Sequence, residues 1–375
     1  MNVHHSPMDE WKSFPLEEDK EYLRQIVSNY FSIYDTKEDG NTFYINLPQD
    51  NTLDEKFEQL RLELRKIGFI PFLNYEGGEY ILHIIKKPRV NTRPKWLNLL
   101  LFFTTIITTM LSGSMLFLTE WSVKSMLLPK NLINGLVFFS VPLMAILGIH
   151  ELGHYFVSKK HNVAASLPFF IPIPPNPVLP LGTLGAVISM REPIPNRKAL
   201  IEIGIAGPIA GFLVSIPVCL IGLFLMQQNP IFADPSQTMQ LNPPLLFTAL
   251  SQLITLPTVP GKDIVIHPTA FAGWVGLLVT AINLLPAGQL DGGHIARGVL
   301  REKHKYASFA AIALLLLSSF FGGGWLFMAF FIIFFIGAGH PPALNEFVPL
   351  DARTKGLAVL AIIIFIMSFT PVPIS

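Results

Sequence analysis

Polar and apolar positions are distributed unevenly along this chain. Over residues 1–95 they alternate on short periods, with charged runs such as LEEDKEYLRQ and LDEKFEQLRLELRK. After Lys95 charge nearly vanishes from long stretches, and apolar runs long enough for a bilayer crossing follow one another. The pattern predicts a soluble head over 1–90 and a polytopic α-helical membrane body over 91–375. In the head, Leu16, Tyr22, Ile26, Tyr30 and Phe31 fall at helical spacing across 16–34, and KEDGN then signals a turn. TFYINL alternates as a strand does. A helix over 54–67, capped from Asn51-Thr52, places Leu60, Leu64 and Ile67 on one face. FIPFLNY and EYILHIIK read as two strands joined at Gly77-Gly78. The expected order, α-β-α-β-β, makes a small α+β domain without a catalytic cluster; His83 within its last strand reads as a structural or surface residue.

In the body, spans are expected at 96–118, 133–157, 199–226, 267–286, 306–321, 323–339 and 356–372. KKPRVNTRPKW, with five basic residues just before the first span, is a cytoplasmic signature. Seven spans keep that segment, Lys159, Lys160, Arg191, Arg197, Lys198, the Arg297–Lys305 loop, Arg353 and Lys355 on the inner side. They put the stretch 227–257, which has no Lys or Arg, on the outer side. The run 244–259 is short and flanked by proline, and is expected to be re-entrant or interfacial. Gly322-Gly323-Gly324 is either a tight turn between two short spans or a break in one long element. Residues 166–190 are apolar yet carry six prolines, so they cannot form an ordinary transmembrane helix. Non-helical backbone at that depth must be buried in protein or line a water-filled cavity, and GTLGAVISM at its end suits an extended edge.

Composition agrees. The 375 residues are 51% hydrophobic and 14% charged, with mean hydropathy +0.47, where soluble chains are about 25% charged. A net charge of +1 provides no field for nucleic acid. The single cysteine, Cys219, lies in an apolar run, which rules out an intramolecular disulfide and a cysteine zinc site and leaves a packing residue. MNVHHSPMDEWKSF lacks an apolar h-region, so no cleavable signal peptide is expected. A multi-pass protein of the cell membrane is expected, with the head and the active-site face cytoplasmic.

The candidate chemistry lies at HELGH, residues 150–154. On a helix His150 and His154 share one face and reach one ion, while Glu151 can hold and deprotonate a water there without being a ligand. Imidazole suits zinc. The motif continues an apolar run, LVFFSVPLMAILGI, where ionisable groups cost about 2.5–3.5 kcal/mol each. A helix with no use for them should not carry them; the plain alternative is a helix end with solvated histidines. Catalytic zinc takes three protein ligands. Asp291, in NLLPAGQLDGGH at the inner end of the fourth span, meets HELGH at the same depth and is the expected third ligand; the alternative is a helix-capping aspartate.

HELGH followed by NLLPAGQLDGGH resembles the site-2 protease family of intramembrane zinc metalloproteases, whose pattern is HExxH and then N-x-x-P-x-x-x-L-D-G. Asn283, Pro286, Leu290, Asp291 and Gly292 match position by position, and the resemblance covers the three-span core at 133–300. It implies cleavage of a transmembrane protein substrate within the lipid bilayer. It also implies that Asp291 is the third ligand and that Asn283 binds substrate backbone or steadies the transition state; for Asn283 an amide bond between helices is the alternative. The family's G-x-x-G segment corresponds to Gly182 and Gly185, which gives the proline-rich loop a role in pairing with extended substrate. The GPIAG at 207–211, with Gly204, resembles a family packing patch that ordinary helix packing explains. The head followed by extra spans, with no PDZ-like insertion, resembles the archaeal and chloroplast EGY-type members. His294 reads as a polar loop residue, and His161, His267, His304 and His340 as interfacial. A membrane metal-ion transporter is the rival class, but it leaves Glu151 without a role and would call for paired repeats that this sequence lacks. A catalytically idle scaffold should have lost a ligand or the base.

Overall fold

Amphipathic spacing starts α1, and the chain leaves the helix earlier than the periodicity suggests. In the computed structural model, which describes residues 17–48, 52–88, 93–118, 122–176, 180–234, 241–320, 324–337 and 339–373, α1 runs Glu17–Ser28 and stops. Ile33 and Tyr34, suited to a strand, then enter β1 (Ser32–Thr36), which pairs antiparallel with β2 (Thr42–Asn46). The KEDGN turn is therefore a hairpin loop, closed by Gly40 at φ +67°, and the order is α-β-β-α-β-β. The sequence pattern merged β1 into the preceding helix. α2 (Leu53–Lys66) follows, with Thr52 at its N-cap but no side-chain cap bond; Leu16 and Asn51 lie outside the described residues. β3 (Phe69–Glu76) and β4 (Glu79–Lys86) join through Gly77 and Gly78, at φ +63° and +94°.

These elements form an antiparallel sheet of order β1-β2-β4-β3. Leu23, Val27, Phe43, Phe57, Leu60, Leu64 and Leu82 fill its core. The unit is not one continuous stretch: it also takes in Pro193–Leu200 and Pro342–Leu350. The Leu73 N–H donates to Leu344 O at 2.9 Å and the Leu344 N–H to Ile194 O at 3.0 Å, so these two segments cover the free edge of β3.

The second unit comprises Arg93–Glu192, Ile201–Pro341 and Asp351–Ser375. Pro94 caps α3 (Lys95–Met115). A short helix, α4 (Val123–Met126), precedes one continuous helical stretch: α5 (Pro129–Gly135), a π turn (Leu136–Ser140) and α6 (Val141–Lys160). Pro142 explains the π turn. It has no N–H for the Phe138 carbonyl four residues back, and that oxygen instead accepts from Thr269 Oγ1 at 2.7 Å. β5 (Phe169–Pro172) and β6 (Thr183–Val187) pair antiparallel as a hairpin; Pro177 lies outside the described residues.

α7 (Arg197–Gln228) follows, then the two-residue strands β7 (Phe232–Ala233) and β8 (Asp263–Ile264), which pair around α8 (Leu245–Ser251). α8 is the only helix in 244–259. α9 (Pro268–Asn283) leads through a turn into α10 (Asp291–Leu300). Then come α11 (His304–Ser318), α12 (Gly324–Phe331) with a π turn to Ile336, and α13 (Ala352–Ser368). Gly322 and Gly323 lie outside the described residues. Phe139, Leu143, Leu147, Cys219, Leu223, Trp274 and Leu277 form the main core, and Cys219 packs against Gly273.

Among the described residues three helical stretches are long and apolar enough to cross a membrane: Lys95–Met115, Pro129–Lys160 and Arg197–Gln228. Pro268–Asn283 is apolar but has 16 residues, a rise of about 24 Å against a hydrocarbon core of about 30 Å. α11, α12 and α13 are also shorter than 18 residues.

Candidate metal centre

The helical repeat of α6 stacks His150 above His154 on one face. The turn after α9, with Gly288 at φ +50°, reverses the chain so that Asp291 opens α10 beside them. His150 Nε2, His154 Nε2 and Asp291 Oδ2 lie 3.2 Å from one another pairwise. A tetrahedral ion with bonds of about 2.1 Å spaces its donors by about 3.4 Å, so this triangle matches one face of such a shell. Among the described residues it is the one group of His, Cys, Asp and Glu whose ligating atoms lie within 4.8 Å of one another. Both histidines are buried, at 3% and 4% exposure.

α7 shapes the other side of the centre. Its Ile203 carbonyl accepts from His154 Nδ1 at 2.7 Å, which puts the proton on Nδ1 and the lone pair on Nε2, toward the triangle. Gly204, Gly207 and Gly211 line one face of the same helix. A Cβ on Gly207 would run into His154 Nε2; one on Gly211 would lie 3.0 Å from His150 Nδ1, and one on Gly204 2.9 Å from Asp291 O. Gly153 returns the close approach, its own Cβ position lying 2.6 Å from Ala206 O. Gly207 and Gly211 seat the imidazoles of His154 and His150 and Gly204 admits Asp291, a role that helix packing alone does not describe. The signal in the sequence is their i, i+3, i+7 spacing.

Glu151 is buried beside the two histidines. Asn283 ends α9 with Nδ2 3.2 Å from His150 Nε2, which places its amide at the triangle. Gly182 and Gly185 lie on the hairpin, at φ +72° and +104°. Thr183 Oγ1 donates to Ile171 O at 2.9 Å and accepts from the Gly185 N–H at 3.0 Å, pinning that strand. The structure thus gathers His150, His154, Asp291 and Asn283 at one point, with Glu151 on the adjoining helix face. It sets Gly182 and Gly185 on a separate β element whose strand β6 packs against α6.

His294 is on α10 rather than in a loop, because Asp291 starts a helix after the glycine turn. Its Nδ1 donates to Leu290 O at 3.1 Å and its ring packs 4.5 Å from that of His340. His304 and His340 are buried, and His304 Nε2 accepts from the His340 N–H at 3.1 Å. His161 pairs with Glu202 at 3.0 Å. These contacts tie loops to helices, which spacing along the chain does not reveal.

Residues 138–321 match the family described as Peptidase family M50. The chain is 31% identical over 238 residues to the "Probable zinc metalloprotease EGY1, chloroplastic" of Arabidopsis thaliana, covering 61% of this chain and 42% of that protein. It is 32% identical over 239 residues to the protein of the same name from Oryza sativa subsp. japonica, covering 62% and 39%. It is 27% identical over 230 residues to the "Probable zinc metalloprotease EGY2, chloroplastic" of Arabidopsis thaliana, covering 61% and 40%. The chain therefore spans less than half the length of each of these relatives. No solved structure matches.

Proposed function

We propose, from the match of residues 138–321 to Peptidase family M50, that this chain is a site-2-type zinc metalloendopeptidase that cleaves a peptide bond within or next to a transmembrane segment of another protein. The observation that carries the proposal is the triangle of His150, His154 and Asp291 donor atoms, 3.2 Å on each side and buried on apolar helices. The names of the relatives support zinc as the ion.

Zinc held by His150 Nε2, His154 Nε2 and Asp291 Oδ2 would supply a Lewis acid for the scissile carbonyl and acidify the attacking water. The chain's own groups do the rest. Glu151 accepts the proton of that water and passes it to the leaving amide nitrogen. The Asn283 amide donates to the substrate carbonyl oxygen as charge builds on it. The two-stranded hairpin leaves the outer edge of β6 unpaired within its sheet, and an extended substrate segment adds there through backbone bonds, with Gly182 and Gly185 keeping that edge open. A substrate helix satisfies its amides internally, so it must unwind locally before it can pair.

The same reading places seven spans in the cell membrane, with the head and the active-site face toward the cytoplasm, as the distribution of Lys and Arg suggests. Purified protein in proteoliposomes with a model transmembrane substrate tests the proposal. Product mapping by mass spectrometry is expected to place the cut within or beside the substrate's membrane segment. Zinc uptake into the vesicles with no cleavage would instead establish the transporter reading.

A further inference from the structure

α3 lies outside the segment that matches the peptidase family, yet it holds the β5–β6 hairpin at several points. Asn98, 8% exposed, donates Nδ2 to both Leu167 O (2.9 Å) and Pro168 O (3.0 Å), the residues that lead into β5. Thr108 donates Oγ1 to Gly182 O at 2.7 Å, immediately before β6. That bond is shorter than the 3.2 Å contacts of the same hydroxyl to Thr104 O and Thr105 O on its own helix. Between the two polar contacts, the Phe102 and Phe170 rings meet edge to face at 5.3 Å; ahead of them, the Arg93 guanidinium sits 6.0 Å from the Phe169 ring centre. A Cβ on Gly182 would lie 2.5 Å from Thr108 O and 2.7 Å from Thr109 Cα, so hairpin and helix backbones are in direct contact.

A helix that served only as an anchor would pack through apolar side chains. Here two polar side chains grip the chain where it enters each strand. They are about 15 Å apart along the helix axis, close to the length of a five-residue strand. Two such grips fix both the position and the tilt of the hairpin. The strand β6 packs in turn against α6, the helix that carries Glu151.

We infer that α3 is the strut that sets the register of the substrate-pairing hairpin, with Asn98 and Thr108 as its positioning residues. The inference rests on the protease reading and adds the element that aligns the substrate. Register matters because a one-residue slip turns every strand side chain to the opposite face. Loss of either contact therefore acts on substrate binding and on the position of the cut, and leaves the metal in place.

The test uses the full chain in proteoliposomes, with Asn98→Leu, Thr108→Val, Thr108→Ser and, as a control, Thr104→Val, whose hydroxyl bonds Leu100 O on its own helix. Zinc content, KM, kcat and cut position are measured for each, and substrate affinity is measured in the Glu151→Gln background. Asn98→Leu and Thr108→Val are expected to raise KM and the substrate Kd about tenfold, the worth of one well-made buried hydrogen bond. They should spread the cut over neighbouring bonds while kcat and zinc content hold. Thr108→Ser and Thr104→Val should behave as wild type. Wild-type KM, Kd and cut position in Asn98→Leu and Thr108→Val would overturn the inference. So would a Thr108→Ser as impaired as Thr108→Val, or zinc lost in step with activity, since either marks the contacts as merely structural. A wild-type chain that cleaves nothing overturns the protease reading instead, and the affinity measurements then decide the role of α3 separately.

Discussion

His154 Nδ1 lies 2.7 Å from the backbone carbonyl oxygen of Ile203, so α7 determines which nitrogen of His154 carries the proton. The contact requires α7 to lie almost on top of α6, and Gly207 is what permits it. Gly207→Ala drives a methyl into His154 Nε2 and is expected to lower zinc affinity about 10- to 100-fold, the usual range for disturbed metal-site supports. Gly211→Ala, whose methyl meets His150 Nδ1 at 3.0 Å, should cost less. Zinc competition with a chromophoric chelator ranks the two; equal, wild-type affinities would contradict this packing account.

Asp291 is the one anionic corner of the triangle. Asp291→Asn keeps the shape but removes the charge, and Asp291→Ala removes the donor as well. Zinc per chain is expected to fall in the order wild type, Asn, Ala, with His150→Ala and His154→Ala near zero. Elemental analysis of purified variants reads this directly, and full zinc retention in Asp291→Ala would remove that residue from the ligand set.

Pro142 leaves the Phe138 carbonyl without its helical donor, and Thr269 supplies the replacement. Thr269→Val is expected to destabilise the protein by about 1 kcal/mol. Pro142→Ala restores an N–H and should recover part of that loss in the double variant, as seen in thermal unfolding in detergent. Purely additive losses would show that the π turn has another cause.

In the head, Thr42 Oγ1 donates to Asp39 Oδ2 at 2.9 Å, so it must accept from His83 Nδ1 at 3.3 Å, which places that proton on Nδ1. Burial holds the His83 pKa below its ordinary value of 6.5. Between the folded and ordinary values the unfolded chain binds the extra proton. This contribution to stability is therefore complete above pH 6.5 and is lost as pH falls below it. The protection factors of the β2 and β4 amides in the full chain, with the intrinsic pH dependence of exchange divided out, should fall on acidification, and His83→Gln should flatten that slope. An unchanged slope would assign it to other groups.

Much of the centre was legible because membrane burial makes ionisable residues conspicuous. HELGH and Asp291 stand out against apolar runs, and the change from alternating to continuous apolar character marked where the head ends. Other features depend on contacts distant in sequence. β1 was absorbed into the preceding helix because Tyr30 and Phe31 extend the apolar spacing past Ser28. The segments Pro193–Leu200 and Pro342–Leu350 belong with the head through contacts distant in sequence: they cover the β3 edge, Leu344 enters the core and Asn196 bonds Asp54. Gly207 looks like any small helix residue until His154 lies against it, and the Ile203 carbonyl carries no side-chain signal. Asn98 and Thr108 belong to a helix whose apolar majority reads as a simple span.

The most direct test of the central claim is Glu151→Gln, assayed for both bound zinc and cleavage of a transmembrane substrate in proteoliposomes. Zinc retained at the wild-type level with cleavage lost is the predicted result, because Glu151 moves protons and does not hold the ion. Cleavage that persists in the zinc-loaded variant would contradict the account.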